Sequence, residues 1–367
     1  MSDLSKISVV LPSLDPDEKL LETVNGLLDH GFDDIILIND GSKSENLHYF
    51  ETASQNPYVH VLHHEVNRGK GAALKTAFTW FLANRPDRMG VVTVDGDNQH
   101  HPEDTKACSL HLLETGKLTL GVRDFSLPHV PVRSRSGNKI TSFVFKVFVG
   151  MTISDTQTGL RAIGRKDLAI LNTVAGDRFE YETNMLLALK DYGIDFDEIK
   201  IRTVYIEENK SSHFHPIRDS WRIYKLIFSH FFKYTLSSLF SAVLDEGLFL
   251  LLSILLLPLS LPGMALTAIS ITAARVVSSL VNFYMNHRMV FHSNVPMGKA
   301  LLRYCALAVP QFVAQLLLTQ GAFWLFHIQD HQLLLRGVVY CLVMSALFVI
   351  SFIVQRRWVF TGSKKLK

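Results

Sequence analysis

The sequence predicts an α/β domain built on a mostly parallel sheet, followed by an all-α domain of four membrane-spanning helices. Three observations carry this reading. Over roughly the first 230 of 367 residues, short apolar runs alternate with stretches of helical periodicity, and the runs end in polar or glycine-containing turns. That is the pattern of strands joined by crossover helices. After residue 233, four apolar stretches follow in succession, each long enough to cross a hydrocarbon core about 30 Å thick. The hydrophobic share of 48% and the mean hydropathy of +0.18 are high for a soluble protein, and the excess lies almost wholly in the second half.

The elements follow in order. Ile7 to Pro12 reads as a buried first strand ended by proline. Asp17 to Gly31 has helical periodicity and stops at glycine. Asp34 to Ile38 is a second strand, followed by Asn39-Asp40-Gly41-Ser42, and His60 to His64 is a short third. Asn67-Arg68-Gly69-Lys70-Gly71 opens a helix over Ala72 to Leu82. Met89 to Val94 is the next strand and leads into Asp95-Gly96-Asp97-Asn98-Gln99-His100. Leu118 to Val122 is a further strand. Arg133-Ser134-Arg135-Ser136-Gly137-Asn138 then stands ahead of an apolar helix over Ile140 to Val149. Ser154 to Arg161 is a polar loop entering a strand, and Arg178 to Thr183 opens another apolar helix.

Several of these turns carry chemistry. Asp95 and Asp97, one residue apart at a strand's C-terminal end, form an oxygen-rich claw. Such a claw suits Mg²⁺ or Mn²⁺ held together with phosphate oxygens. Gly96 removes the side chain where a ligand approaches the backbone. A plain Asp-Gly turn is the competing reading. Asp40 is placed to accept hydrogen bonds from a nucleobase or ribose, or to act as a turn or capping residue. Arg68 and Lys70 beside two glycines at a helix N-terminus make an anion cradle, though without the spacing of a P-loop. Arg123, Arg133 and Arg135 are candidates to hold a diphosphate or a phosphate acceptor. Glu180 and Glu182 suit the helix dipole, so a purely structural role competes with a functional one.

The ordered set Leu11-Pro12-Ser13, Asn39-Asp40-Gly41-Ser42, Asn67 to Gly71, Asp95 to His100, Ser154 to Gly159 and Arg178-Phe179-Glu180-Tyr181-Glu182 resembles family 2 glycosyltransferases, and within them the dolichyl- and polyprenyl-phosphate sugar synthases. The resemblance spans roughly residues 6–230. It implies a GT-A (Rossmann-like) fold, a nucleotide-sugar donor and inversion at the anomeric carbon. By motif position it implies a metal on Asp95, Asp97 and Gln99, with the nucleotide on Asp40 and the donor site completed by Pro12, Ser13, Asp15, Arg68, Lys70 and Gly96. Asn39 stands where the family usually has a first Asp, and Asp15-Pro16 replaces the usual Asn-Glu.

The predicted spans are 235–257, 265–285, 300–327 and 332–354. Lysines 225 and 233 precede the first. His287, Arg288, Lys299 and Arg303 fill the central loop, and Arg356, Arg357, Lys364, Lys365 and Lys367 follow the last. The opposite loops are almost free of basic residues. The positive-inside rule therefore predicts a multi-pass protein of the cell membrane with its α/β domain, central loop and C-terminus in the cytoplasm. An internal repeat supports paired hairpins, because Asn282-Phe283-x-x-Asn286-His287-Arg288-x-Val290-Phe291 recurs as Ser351-Phe352-x-x-Gln355-Arg356-Arg357-x-Val359-Phe360. This half, roughly residues 230–362, is similar to GtrA-like membrane domains. Polar residues inside the spans are costly. Asp245 is expected to pair with Arg275, with Gln311 and Gln315 close by. Residues 209–232 alternate aromatic and basic residues and read as an interfacial amphipathic helix or as a linker helix. The expected division is 1–210, a connector over 211–233, and 234–362.

A net charge of only +3 gives no support to nucleic-acid binding. Three scattered cysteines make no disulfide framework, and the sixteen histidines show no zinc spacing, so His63-His64 and His100-His101 read as surface or satisfied polar residues. The N-terminus leads straight into a strand and predicts no signal peptide. The function that follows is transfer of one sugar from a nucleotide-diphosphate sugar to an undecaprenyl or dolichyl phosphate at the lipid bilayer. The lipid-linked sugar would then pass to a downstream transferase for cell-surface glycosylation. Two alternatives are a processive polysaccharide synthase and a lipid-sugar translocator or scaffold with a degenerate transferase half. The synthase signature Gln-x-x-Arg-Trp is met only by Gln355-Arg356-Arg357-Trp358, one residue short and beyond the last span.

Overall fold

The computed structural model describes residues 4–128, 130–202, 216–259, 263–291, 293, 295–329 and 332–360, without the side chains of residues 133, 216–227, 229, 230, 259 and 263. Two compact units divide the chain, one up to Tyr224 and one from Lys225.

In the first unit, β1 (Ile7–Ser13), β2 (Ile35–Asp40), β3 (Val59–His64), β4 (Gly90–Thr93), β5 (Leu118–Arg123), β6 (Arg161–Gly164) and β7 (Phe196–Ile201) form one sheet in the order β3-β2-β1-β4-β6-β5-β7. β6 runs antiparallel to both its neighbours, and the other pairs are parallel. β1 and β2 are Val-, Ile- and Leu-rich and buried on both faces, as a central parallel strand must be. The helices α1 (Lys19–Asp29), α2 (Leu47–Ser54), α3 (Lys70–Asn84), α4 (Pro102–Thr115), α5 (Val132–Val144), α6 (Arg165–Leu171) and α7 (Glu180–Tyr192) connect the strands. One core cluster joins Val9, Leu11 and Leu37 of the sheet to Leu20, Val24 and Leu27 of α1, Phe50 of α2 and Leu112 of α4. Burying each such side chain stabilises the fold by about 1.5–3 kcal/mol.

The topology places the site. From β1 the chain steps outward through β2 and β3, then returns to β4 on the other side of β1. At such a switch the C-terminal ends of the strands leave a crevice, and here the ends of β1, β2 and β4 bring Ser13, Asp40 and Asp95 to one edge. Two of the boundaries that differ from the sequence reading bear on the site. β2 extends through Asn39 and Asp40, because both pair with β3 at His63 and His64. α5 starts at Val132, behind the N-cap Pro131 whose fixed φ of −55° suits a helix start. Arg133 and Arg135 therefore lie within the helix and not ahead of it.

In the second unit, α8 (Pro216–Leu256), α9 (Gly263–Met285), α10 (Met297–Leu325) and α11 (Leu333–Val354) contain four stretches long and apolar enough to span a membrane: Phe231–Leu256, Met264–Val290, Met297–Leu325 and Leu333–Val359. From Pro216 to Leu256, the described part of the connector and the first span form one unbroken helix. Residues 203–215 and most connector side chains lie outside the described set, so the amphipathic face expected there does too. The helices turn small and polar side chains inward, with Ser237, Ser241, Ser270, Ser278, Asn286, Thr319, Ser351 and Gln355 buried, while many Leu, Ile and Val side chains, such as Val243, Ile254 and Leu342, are exposed. Hydrocarbon gives apolar residues no reason to hide, so close packing and hydrogen bonds hold such a bundle together.

The sequence repeat is also a structural one. A five-residue π-turn closes α9 at Asn286–Val290, and another closes α11 at Gln355–Val359. Their repeat-equivalent side chains meet directly: Asn286 Nδ2 donates to Gln355 Oε1 at 3.2 Å, and Phe291 stacks on Phe360 with centroids 5.1 Å apart. Two tyrosines join the network across the repeats. Gln355 Nε2 donates to Tyr234 Oη, and Tyr304 Oη donates to Asn282 Oδ1, each at 3.1 Å. The Gln355-Arg356-Arg357-Trp358 run is thus part of a helix-closing turn. Arg275 pairs with Asp245 at 3.0 Å, as the sequence predicts, and Ser278 Oγ donates to the other carboxylate oxygen at 2.8 Å. Gln315 does not join them, since its amide donates to Tyr340 Oη at 3.1 Å.

Candidate active site

Three turns lock together at the edge of the sheet. Asp40 at the end of β2 is buried, and its carboxylate accepts from the backbone N–H of Arg68 at 3.0 Å and of Gly69 at 2.8 Å. His64 Nδ1 lies 2.6 Å from the same carboxylate, and its Nε2 lies 2.9 Å from Thr76 Oγ1. Asp40 therefore fastens the Asn67–Gly71 turn. Asn39 caps its own turn by accepting from Ser42 N–H at 2.8 Å. Asp15, at a positive φ of 48°, ties the turn after β1 to this group by accepting from Lys43 N–H at 2.8 Å, while its own N–H donates to Ser42 Oγ at 2.9 Å. Gly69 sits at φ +101°, and a Cβ there would lie 2.4 Å from the carbonyl oxygen of Asp177. Ala72 N–H donates to that oxygen at 2.9 Å. The Arg68–Gly71 and Asp177–Tyr181 segments, more than a hundred residues apart in sequence, are thereby packed backbone to backbone.

This packing delivers Lys70 to Asp95. Its ammonium lies 2.8 Å from Asp95 Oδ1 and 3.0 Å from Oε1 of Glu182, in the first turn of α7. His100 Nε2 stands 3.4 Å from Asp95 Oδ2. Burial pushes the Asp95 carboxyl up, but Lys70 and His100 overcome this and hold it well below the usual carboxylate range. Asp97 goes the other way, pushed up by burial and by the charge of Asp95. Two neighbouring acids whose charges oppose each other in this way fit a cation. The donor set is all oxygen if Gln99 offers its amide carbonyl. Among the described residues no cluster of three or more His, Cys, Asp or Glu is placed to hold a metal. Two carboxylates completed by substrate phosphates suit Mg²⁺ or Mn²⁺ better than a full protein cage would. A Cβ at Gly96 would crowd Leu11 at 3.2 Å and Ser13 Oγ at 3.4 Å, so the claw sits tightly on the end of β1, where Pro12 and Ser13 complete the strand.

The Ser154–Arg161 loop joins this claw to the arginines. Thr93 Oγ1 donates to Gly159 O at 2.6 Å and holds the loop against β4. At its other end the fully buried Asp155 takes Arg123 in a bidentate pair, with Nε at 2.7 Å and Nη2 at 3.1 Å. Arg135 Nη2 donates to Leu127 O at 2.8 Å, while its Nε–H is buried with no acceptor among the described residues. The Arg133 side chain lies outside the described residues. Arg68 lines a groove of about 610 Å³ with Leu62, Lys75, Trp80 and Asp177. The expected anion cradle is thus split, with Lys70 on the claw and Arg68 on the α3 flank.

Four residues escaped the sequence reading of the site. Glu182 shares Lys70, and His100 is buried beside Asp95 and not on the surface. His64 secures Asp40. Arg161 is 2% exposed, donates from Nη1 to Glu182 O at 2.8 Å and from Nε to Thr158 O at 3.1 Å, and so braces both walls of the site from beneath. A lone Arg directly after Thr158-Gly159-Leu160 was the available signal. An arginine inside a buried strand needs backbone carbonyls to receive it.

Residues 8–169 match the family model described as glycosyl transferase family 2, and residues 233–360 match the GtrA/DPMS transmembrane domain. The chain carries a family 2 glycosyltransferase domain followed by a GtrA/DPMS transmembrane domain. Its mixed sheet is accordingly GT-A-like, and the four apolar helices make this glycosyltransferase a membrane protein. An uncharacterized protein of Methanocaldococcus jannaschii is 29% identical over 62% of this chain and 93% of its own length. The UDP-N-acetylglucosamine–dolichyl-phosphate N-acetylglucosaminyltransferase of Methanococcus voltae is 26% identical over 55% of this chain and 86% of its own. The undecaprenyl-phosphate mannosyltransferase of Micrococcus luteus is 24% identical over 56% of this chain and 86% of its own.

Proposed function

We propose that this glycosyltransferase moves a single sugar from a nucleotide-diphosphate sugar to a polyprenyl phosphate, with inversion at the anomeric carbon. The observation that carries the reading is the Asp95-Gly96-Asp97 claw at the β1/β4 switch, flanked by Lys70 and joined through one loop to Arg123, in a chain whose other half is built to span a membrane. The names of the Methanococcus and Micrococcus relatives support a polyprenyl phosphate as acceptor. Asp95, Asp97 and Gln99 would hold Mg²⁺ or Mn²⁺, which when bound neutralises the leaving diphosphate. Arg123, its guanidinium plane fixed by Asp155, and Arg135 orient phosphate oxygens. A phosphate acceptor is already anionic at neutral pH, its second pKa being about 6. The chain therefore needs no general base to activate it, in contrast to transfer onto a sugar hydroxyl. The charge asymmetry of the span-flanking loops supports a cytoplasmic catalytic half, from which a lipid-linked sugar would pass to a downstream transferase for cell-surface glycans.

The test is incubation of membranes containing the protein with labelled UDP-glucose, UDP-N-acetylglucosamine and GDP-mannose, each in turn, followed by lipid extraction. One donor should put label into a lipid-extractable monosaccharide. Label in insoluble polymer, or in no product with any donor, would overturn the reading.

A further inference from the structure

Lys70 does more than the donor-site reading asks of it. Its side chain is 18% exposed, and its ammonium is shared between Asp95 Oδ1 and Glu182 Oε1 at nearly equal distances, 2.8 and 3.0 Å. The two helix ends carrying Lys70 and Glu182 cannot drift apart, because Gly69 and Gly71 lie against the Asp177–Tyr181 backbone and Ala72 N–H is bonded to Asp177 O. The ammonium can therefore redistribute between its partners without moving the backbone. Asp95, whose carboxylate it holds, is also one of the residues that would hold the proposed metal.

We propose that Lys70 is a built-in counter-ion for the claw: it yields Asp95 when a divalent cation arrives with a nucleotide diphosphate, keeps Glu182 as its second anchor, and turns the released N–H to a diphosphate oxygen. The proposal rests on the metal reading above. A divalent cation alone must compete with an ammonium already in place. A cation arriving with the diphosphate gives Lys70 a new anionic partner, so the two ligands bind with positive coupling. Without Glu182, Lys70 would lean on Asp95 alone and resist the metal more strongly.

Mn²⁺ binding to the purified full-length protein, followed by the paramagnetic resonance of free Mn²⁺, reads this without turnover. It is measured alone, with UDP and with GDP. Wild type should bind Mn²⁺ about tenfold or more tighter with one of the two nucleotides, within the usual range of such couplings. Lys70→Met should bind Mn²⁺ about tenfold tighter than wild type without nucleotide and lose most of the nucleotide enhancement. Glu182→Gln should bind it more weakly than wild type without nucleotide, which keeps the proposal testable should Lys70→Met fail to fold. A bystander charge would alter each affinity separately and leave their coupling intact. An unchanged coupling in Lys70→Met, or a Glu182→Gln that tightens Mn²⁺ binding, overturns the counter-ion role and leaves the metal reading standing. Failure of wild type to bind Mn²⁺ even with nucleotide overturns both.

Discussion

Gly159→Ala tests the claw from outside it. A Cβ at this position would lie 2.4 Å from Asp95 Oδ2, 3.0 Å from its Cγ and 3.1 Å from Oδ1. Side-chain carbons do not approach such atoms closer than 3.0 Å, so the gap must open by at least about 0.6 Å. The loop cannot supply this, because Thr93 Oγ1 holds the Gly159 carbonyl at 2.6 Å. The Asp95 carboxylate, a side-chain end that is 31% exposed, must move instead. Its movement strains the 2.8 Å bond to Lys70 and shifts a ligand of the proposed metal. Misplacement by about 1 Å in an active site costs on the order of a hundredfold in rate, so a tenfold to hundredfold loss is expected here. Stability should fall by no more than about 2 kcal/mol, at the mild end of overpacking, since a carboxylate yields more easily than a core side chain. Transfer of labelled sugar into lipid and thermal unfolding of the purified variant read the two effects separately. A Gly159→Ala protein that transfers sugar within twofold of wild type would refute the close approach of this loop to the reacting centre.

Three further outcomes follow from the same geometry. Asp97→Asn should lower transfer at least about a hundredfold without lowering Tm, because it relieves a buried charge opposed by Asp95; a fall in Tm would assign Asp97 a structural role. Gly69→Ala should cost about 3 kcal/mol in a denaturant titration, from a φ of +101° and a collision with the Asp177 backbone carbonyl, and a loss below about 1 kcal/mol would show that the two turns are not packed as described. In the membrane unit, Asp245→Arg and Arg275→Asp should each lower the yield of detergent-extracted folded protein, since an unpaired charge in a span costs about 3 kcal/mol. The double swap should recover part of that yield, though not the Ser278 hydrogen bond to Asp245; a swap no better than either single variant would refute the pairing.

Local chemistry was readable one segment at a time. The strands β1, β2 and β4 could be located from Ile7–Pro12, Asp34–Ile38 and Met89–Val94 because apolar runs closed by turns leave few other options, although the continuation of β2 through Asn39 and Asp40 was not legible. The boundary at α5 was not readable. Arg133-Ser134-Arg135-Ser136-Gly137-Asn138 has poor helix propensity, and its helix is held by tertiary contacts, such as Asn138 Nδ2 to Ser154 O at 2.6 Å. His100 and His64 read as surface or satisfied polar residues without a named partner, because a single sequence does not show which carboxylate a ring will meet. The pairing of Asp245 with Arg275 was legible, since hydrocarbon leaves two opposite charges little choice but each other. The divergence of Gln315 was not, because a neutral amide has several acceptable partners and found Tyr340.

The sequence by itself determined the architecture: an α/β half with an acidic claw after its fourth strand, and four apolar spans with a repeated polar motif. These follow from periodicity and composition, which act locally. Only the tertiary structure decided how the motifs divide their work. It turned Asp40 inward to hold the Arg68–Gly69 turn, aimed Arg68 at the α3 flank, and set Lys70 between Asp95 and Glu182. The reason is geometric: the residues in each of these contacts are separated by tens to more than a hundred positions, and only close backbone packing at Gly69, Gly71 and Gly159 brings them within bonding distance.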